Sequence, residues 1–509
     1  MGVLLASRKS DLARLQSYQV AEALKNAHPG LEINFHFRQS LGDINQNDPL
    51  WKMPEKGVFT EDFREGLLDG SFDMVVHSWK DLPVEMGAGT EIIATLPRAD
   101  ARDLFLFKKS CFEKVKTQRS LKVFTSSPRR IYNLAPFFKN YFYTPLDTIE
   151  FESVRGNIQT RIDKLLASNE VDGLVVAKAA IDRLLLSGEE DLRSGKEKLK
   201  TSLQKLYWQV LPLSINPTAA AQGALAIEIA NHRQDLRDLL SVIHCQDTFQ
   251  AVSEERRILK SYGGGCHQKI GIHQTNFDFG RVTFLRGLTD AGEVLDHQSL
   301  EVKSGSDGAW TELAPPEDFD PCPMFKLFDR KPLNSKKPVD CDAHFIARAN
   351  ALPESIEIGP DEILWVSGLQ TWKRLAFRGL WVHGSFDSFG ESQGMGLEAL
   401  APQRQWAKWT HKGAPSGPWQ VTVPSYQLIE TWQTPEEPAG KDFFWTSGSR
   451  FAKAVECFPS LLSKRHYCGP GNTFQQIVQV LKEHQINQKP QVLMGFEQWS
   501  QWCEREGQT

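Results

Sequence analysis

The stretch DMVVHSWKDLP, residues 73–83, sets the architecture. Met74, Val75 and Val76 make a short apolar run without alternation, the pattern of a strand covered on both faces. The run ends in polar residues, with Lys80 and Asp81 at the strand's carboxyl end, where open α/β sheets bind ligands. Reading outward, GVLLA (2–6) is a strand, and Ser10 opens a helix carrying Leu12, Leu15, Val20 and Leu24 on one face. Ile33, Phe35 and Phe37 alternate as a half-buried strand does. A helix is predicted around Phe59 to Leu68, and EIIATLP (91–97) contains another strand. From Asp103 the pattern restarts: DLFLF, KVFTSS, a helix opened by Pro128, TIEFES, a helix from Ile158, and GLVVA. Such alternation predicts largely parallel sheets covered by helices.

Near Asn216 the text changes. GALAIEIA (223–230) reads as a strand, and a helix from Asp247 to about Lys260 precedes the glycines before Cys266. RVTFLRGLTDAGEVLDHQSLEVK (281–303) reads as paired strands turning at Asp290-Ala291-Gly292. The stretch 305–360 is rich in proline and charge without a clear period, so it is expected to be a linker. Beyond it, ILWVSG, LWVHGS, DFFWTSGS and QVLMGF are strand candidates, and KAVECF and FQQIVQVLKEH are helix candidates.

A chain of 509 residues is too long for one ordinary core, and three or four domains are expected. Hydrophobic residues make up 40% and charged residues 24%, as in soluble globular proteins. The net charge of -4 offers no global basic excess for nucleic acid, although a local basic pocket remains open. No run of about 18 apolar residues predicts a membrane span, and the first residues lack the order of a secretory signal. Eight scattered cysteines show no disulfide framework or CxxC pair, which fits a reducing cytoplasm.

Three constellations could carry chemistry. In YGGGCHQKIG, three glycines remove side-chain bulk and can present the Cys266 thiol on an exposed loop, although a lone cysteine is more often an inert packing residue. Asp81, before Leu-Pro, is either a poised acid or a turn aspartate satisfying local amides. Arg8, Arg129, Arg130, Arg155, Arg161 and Arg183 each fall near a strand-to-helix junction, where guanidinium groups and helix N-termini together can hold anions. Any one is expected to be a solvated surface residue; six at successive junctions form a pattern.

Taken in order, SRKSDLARLQ, Gly42-Asp43, KGVFTEDFREGLLDG, DMVVHSWKDLP, TSSPRR, VRGNIQTR, LVVAKAAIDRL, AAAQGALAIE and ERRILKSYGGGCHQKIG resemble hydroxymethylbilane synthase, also called porphobilinogen deaminase, across roughly residues 3 to 300. The resemblance implies an α/β fold of two lobes like those of periplasmic binding proteins, with the chain crossing between them twice. Residues 1–98 and 216–236 would form one lobe and 99–215 the other. A small α/β domain, 237–304, would carry the cofactor cysteine, followed by the linker 305–360 and a further α/β domain, 361–509. It implies a dipyrromethane cofactor held by a thioether to Cys266, and porphobilinogen as substrate. Four units are added to this primer with loss of ammonia, and the linear tetrapyrrole is then hydrolysed off. Loss of ammonia gives an electron-poor azafulvene that the growing chain's free α-carbon attacks. Asp81 matches the carboxylate that moves protons and stabilises positively charged pyrrole. Lys80, Ser126, Ser127, Arg129, Arg130 and Asp43 match cofactor contacts; Arg8, Ser10, Arg155, Arg161, Arg183, Lys56 and Gln222 match substrate contacts, with Lys56 on a loop that covers the active site. Each ring carries two carboxylates, so six rings bring roughly twelve negative charges that local arginines must meet. CHQKIG, TSSPRR and AAAQGAL each depart from the family's usual text at one position, without removing a chemical group.

The last 150 or so residues faintly resemble part of uroporphyrinogen-III synthase, with Thr446-Ser447 and Gly469-Pro470-x-x-Thr473 as the matching features. Two readings of this region stay open: an enzyme that also cyclises the tetrapyrrole, or an accessory domain, with the next pathway enzyme then a separate partner. From a different class, a two-lobed anion-binding protein with an inert Cys266 is the alternative for the whole chain. A monomer is expected.

Overall fold

The computed structural model describes residues 2–39, 61–264, 268–304, 309–322, 328–431 and 436–506. They divide into two compact units, the first holding Met1–Thr275, Phe284–His297 and Gly396–Pro402, the second Asn276–Thr283, Gln298–Met395 and Gln403–Thr509.

In the first unit, β1 (Gly2–Arg8), β2 (Glu32–Arg38), β3 (Met74–Ser78), β4 (Thr90–Ala94) and β10 (Leu225–Ala230) form one sheet in the order β2-β1-β3-β10-β4. A second sheet takes β5 (Asp103–Lys108), β6 (Ser120–Phe124), β7 (Thr148–Glu152), β8 (Gly173–Ala177) and β9 (Leu206–Val210) in the order β7-β6-β8-β5-β9. The two orders repeat one plan, and the chain passes between the sheets twice, from β4 to β5 and from β9 to β10. The expectation of largely parallel strands needs one amendment per sheet: β10 runs antiparallel to β3 and β4, and β5 antiparallel to β8 and β9. Both reversed strands are reached by a passage from the other sheet. They lack the helical crossover that keeps consecutive strands parallel within one sheet.

Burial explains the apolar runs. All six residues of β10 are buried, as an interior strand with both faces covered requires. Leu5, Met74, Val76, Ile227 and Ile229 share a core with Val20 and Leu24 of the helix Asp11–Ala27. In the second sheet, Phe105 packs on Phe138 with ring centroids 4.7 Å apart. Gly173 opens β8 because a Cβ there would sit 2.4 Å from the Phe105 ring. Ser10 stands at the head of the first helix in extended conformation, but its side chain makes no capping hydrogen bond.

The helix Gln246–Ser261 leads to a four-stranded sheet of β11 (Gly271–Phe277), β12 (Gly280–Leu288), β13 (Val294–Ser304) and β14 (Ala309–Glu312), in that order. The expected turn is present, with the Thr289 N–H donating to the Glu293 carbonyl at 2.9 Å.

In the second unit, β15 (Phe328–Pro332), β16 (Ala343–Ile346), β17 (Ile363–Val366), β18 (Gly384–Ser385), β19 (Trp406–His411) and β20 (Val421–Glu430) form a sheet in the order β15-β20-β19-β16-β17-β18. A smaller sheet is β21 (Asp442–Trp445), β22 (Arg465–Cys468) and β23 (Gln491–Val492). The stretch 305–360 is therefore not only a connector. It supplies β15 at an edge and β16 in the interior, where it pairs in parallel with both β17 and β19. Among the described residues no helix is long and apolar enough to cross a membrane, and no group of three His, Cys, Asp or Glu side chains could hold a metal ion.

One buried ion pair ties the helix before the glycine loop to the first sheet. The Glu255 carboxylate, fully buried, accepts from Arg98 at 2.6 and 3.0 Å and from the Ala221 and Gln274 amides, both at 2.8 Å. Glu255→Ala leaves the Arg98 charge unmatched in a buried site. Urea unfolding should report a loss of about 3–5 kcal/mol for this unit, and an unchanged midpoint would contradict that role.

Candidate active site

The carboxyl end of β3 turns directly into a short 3-10 helix, Trp79–Asp81. Trp79 is buried against Phe249 of the helix Gln246–Ser261, with ring centroids 5.2 Å apart. From that helix Arg256 donates to the carbonyls of Trp79 (3.4 Å), Leu82 (3.3 Å) and Pro83. A guanidinium on three consecutive-turn carbonyls fixes the backbone that presents Lys80 and Asp81. Asp81, exposed, shares a small pocket of about 70 Å³ with Arg8 and Ser10 at the carboxyl end of β1. Ser10 can face this pocket because its hydroxyl is not occupied in capping.

Beside the turn lies a buried hub that the sequence reading did not single out. The Asp103 carboxylate, at the first residue of β5, is fully buried. It accepts from Arg130 Nη2 (2.6 Å) and Nε (3.0 Å), Arg129 Nη2 (2.9 Å), Gln222 Nε2 (2.8 Å) and Asn216 Nδ2 (2.9 Å). Burial pushes this carboxyl's pKa up, but Arg130 and Arg129 outweigh it and hold the group far below the usual carboxylate range. Gln222 also accepts from Lys80 Nζ at 3.1 Å, which links the hub to the turn Trp79–Asp81. Burial, foremost, brings the Lys80 ammonium down to about 8; Asp81 and Asp103 oppose it, and Arg130 and Arg129 reinforce it.

The junction arginines therefore separate into two groups. Arg129 and Arg130 are buried and paired with Asp103, and Arg129 also donates to the Pro217 carbonyl at 2.7 Å. Arg183 is buried too, donating to Gln19 Oε1 (3.1 Å) and the Gly223 carbonyl (2.8 Å), so its contacts hold the first helix to the return segment. Arg8, Arg155 and Arg161 are only half-buried. Arg161 donates to the Gly156 carbonyl at 2.7 Å and is lowered to about 10, first by burial, then by Arg130 and Arg155, with Asp81 opposing. Arg161 thus stands in the field of Asp81 and of two other guanidinium groups. Ser126 accepts from the Val154 amide at 3.0 Å and donates to the Val154 carbonyl at 2.8 Å, and Ser127 caps the helix Pro128–Tyr141 through the Arg130 amide at 3.4 Å. Ser127 thus fixes the first turn of the helix that carries Arg129 and Arg130, and Ser126 the segment just before Arg155. Asp43, Lys56 and Cys266 lie outside the described residues. Gly264, two residues before Cys266 in the sequence, is described: a Cβ there would stand 3.4 Å from Val84, three residues beyond Asp81.

Six cations (Arg8, Lys80, Arg129, Arg130, Arg155 and Arg161) thus surround two carboxylates, Asp81 and Asp103. Such a cleft calls for an anionic guest. The family model for the porphobilinogen deaminase dipyromethane cofactor binding domain matches residues 3–238. Porphobilinogen deaminase from Clostridium novyi is 31% identical over 296 residues, covering 58% of this chain and 91% of its own. The chain belongs to the porphobilinogen deaminase family. The porphobilinogen deaminase of Syntrophomonas wolfei subsp. wolfei is 33% identical over 266 residues, covering 52% of this chain and 78% of its own. Among solved structures, the BenM effector binding domain with its effector benzoate covers 52% of this chain at 15% identity with a TM-score of 0.24, and the fold described above does not rest on it. The family match spans the strands of both sheets of the first unit, from β1 to β10.

The cationic excess fits the family's dipyrromethane group, because its rings bring carboxylates that can meet the cations Asp81 and Asp103 leave unmatched. Lys80 gives the cleft a pH dependence. As pH rises from 7 to 9.5 its ammonium discharges near 8, removing one positive charge, so the cofactor-free chain should bind a small dicarboxylate progressively more weakly. Lys80→Arg, which stays charged, should flatten that profile in a calorimetric titration; an identical profile in the variant would exclude Lys80 as its source.

Proposed function

We propose that this chain is a hydroxymethylbilane synthase that condenses four porphobilinogen molecules, with release of ammonia, and hydrolyses off the linear tetrapyrrole. The observation that carries this reading is the placement of Asp81 in a cleft whose other charged groups are mostly cations. Cys266, which follows the helix Gln246–Ser261 in the sequence, is the proposed attachment point of the dipyrromethane group. That group, when bound, supplies a nucleophilic pyrrole carbon from which the chain is extended. Lys80, Arg155 and Arg161 are proposed to hold ring carboxylates there, and Arg8 with Ser10 to orient the incoming porphobilinogen beside Asp81.

Asp81 is assigned the proton work. The Asp81 carboxyl group, on a fixed turn, can when protonated pass its proton to the departing amine, and the carboxylate left behind stabilises positive charge on the pyrrole nitrogen. Arg129 and Arg130 act through Asp103, keeping the loop after β6 and the segment 216–222 in register around the cleft. Their roles are positioning rather than direct. Gln222 does the same for Lys80. Asp43 and Lys56 retain the cofactor and substrate contacts that the family resemblance implies for them.

Two measurements test the assignment. The intact mass of the purified chain should exceed the polypeptide mass by two pyrrole rings, and Cys266→Ser should abolish the excess; an active chain of unmodified mass would overturn covalent attachment. Asp81→Ala should retain the bound rings but release ammonia from porphobilinogen about 10²–10⁴-fold more slowly. Near-normal release would remove Asp81 from the chemistry.

A further inference from the structure

The two sheets of the first unit are joined by two passages that meet side by side. The Ala99 N–H donates to the Gly223 carbonyl at 3.2 Å, and a Cβ on Gly223 would stand 2.5 Å from the Ala99 carbonyl oxygen. The helix Lys178–Leu186 rests against both passages. The Lys178 N–H donates to the Arg102 carbonyl at 3.0 Å, and Arg183 reaches the Gly223 carbonyl at 2.8 Å. Bodies joined in this way change their relation through dihedral changes in a few joining residues, so a hinge between the two sheets must act at residues 99–102 and Gly223.

Against this hinge lies a segment from far along the chain. Gly396–Pro402, with the sequence GLEALAP, belongs to the first unit, although it stands between β18 and β19 in the sequence and outside the residues that the family model matches. Leu397 and Ala401 are buried, and the Ala401 N–H closes a turn on the Leu397 carbonyl at 2.8 Å. Gly396 has a φ of 66°, and a Cβ there would stand 2.7 Å from Asp100 Oδ2 and 3.2 Å from Arg102 Nη2. Both the conformation and the space call for glycine. The Gly396 carbonyl accepts from Lys178 Nζ.

The seat is a cluster of two cations and two carboxylates. Asp100 Oδ2 accepts from Arg102 Nη2 at 2.6 Å. The fully buried Lys178 places its Nζ 2.5 Å from Asp182 Oδ2 and 3.3 Å from Asp100 Oδ2. An ammonium has three N–H donors. Two meet the carboxylates of the hinge and the helix, and the third meets the Gly396 carbonyl. Withdrawing Gly396 strands a buried donor of a cation, so hinge, helix and segment hold as one set. Asp182 is the weak point of that set: its Oδ1 has no hydrogen-bond partner among the described residues, and burial, with Lys178 opposing, brings its carboxyl up to about 6. We infer that Gly396–Pro402 is a detachable strap across the hinge, and that its seating restrains the parting of the two sheets that makes room for further rings. The strap and its seat rest on these contacts alone; the link to elongation rests on the function proposed above.

Hydrogen–deuterium exchange of the full chain tests the strap, and intact mass at limiting porphobilinogen tests its consequence. Gly396→Val should raise exchange at residues 99–102 and in the helix Lys178–Leu186 at least about tenfold, while β1 exchanges as before. Leu397→Ser unseats the strap without crowding the seat, should give the same rise, and serves alone should the valine variant not fold. In both variants the covalent forms carrying three or four added units should fall at least about twofold relative to those carrying one or two, because the late steps are the ones the strap slows. Unchanged exchange in both variants would overturn the strap. Raised exchange with an unchanged distribution of covalent forms would overturn its restraint on elongation. A chain that shows the rise in exchange but gains no mass from porphobilinogen would refute the proposed activity and leave the strap standing.

Discussion

A single carboxylate, that of Asp103, holds three separate stretches of the first unit together. It sits at the start of β5, where the chain has just passed from one sheet to the other. Arg129 and Arg130 reach it from the helix Pro128–Tyr141, and Asn216 and Gln222 from the return segment. Both passages between the sheets are thereby fastened at one buried point. The geometry of the cleft follows, because Gln222 relays the constraint to Lys80 and the helix bearing Arg130 faces Arg161. A buried carboxylate with five hydrogen bonds from four side chains is stable only as a complete set, since removing any partner strands a charge or a polar group.

The same hub accounts for the division of labour among the arginines. A chain with a net charge of -4 must still offer a strongly cationic cleft to a polyanionic guest. It does so by local concentration. Arg129, Arg130 and Arg183 are tied to carboxylate, carbonyl or amide oxygens and form a rigid frame, while Arg8, Arg155 and Arg161 stay half-buried at its rim. Fully paired cations behind half-buried ones make a preorganised site that still presents charge to a guest.

Much of this was readable from the sequence, and the failures have physical causes. Leu104 to Phe107 and Val75-Val76 announced buried strands because an apolar run needs no long-range information. The placement of Asp81 and of the rim arginines followed from strand ends. Asp103 was not seen as a hub: a charged residue ahead of an apolar run looks like an ordinary strand start, and its partners lie 26 to 119 residues away. The pairing of Arg129 and Arg130 with that carboxylate is hidden for the same reason, since nothing local reveals it. The reversal of β5 and β10 is equally non-local. β15 and β16 were hidden within a proline-rich stretch because four or five residues carry too little periodicity, and β15 is mostly exposed along its length.

The place of β10 between β3 and β4 also orders events on the ribosome. The strands of the second sheet, β5 to β9, are contiguous in sequence from Asp103 to Val210, so that sheet can close as soon as it has been synthesised. The first sheet, although it begins at residue 2, stays split down its interior until Leu225–Ala230 emerges. Until then β3 and β4 carry unpaired edges and an uncovered apolar face, the condition in which nascent chains associate wrongly. The half that is translated first is completed last.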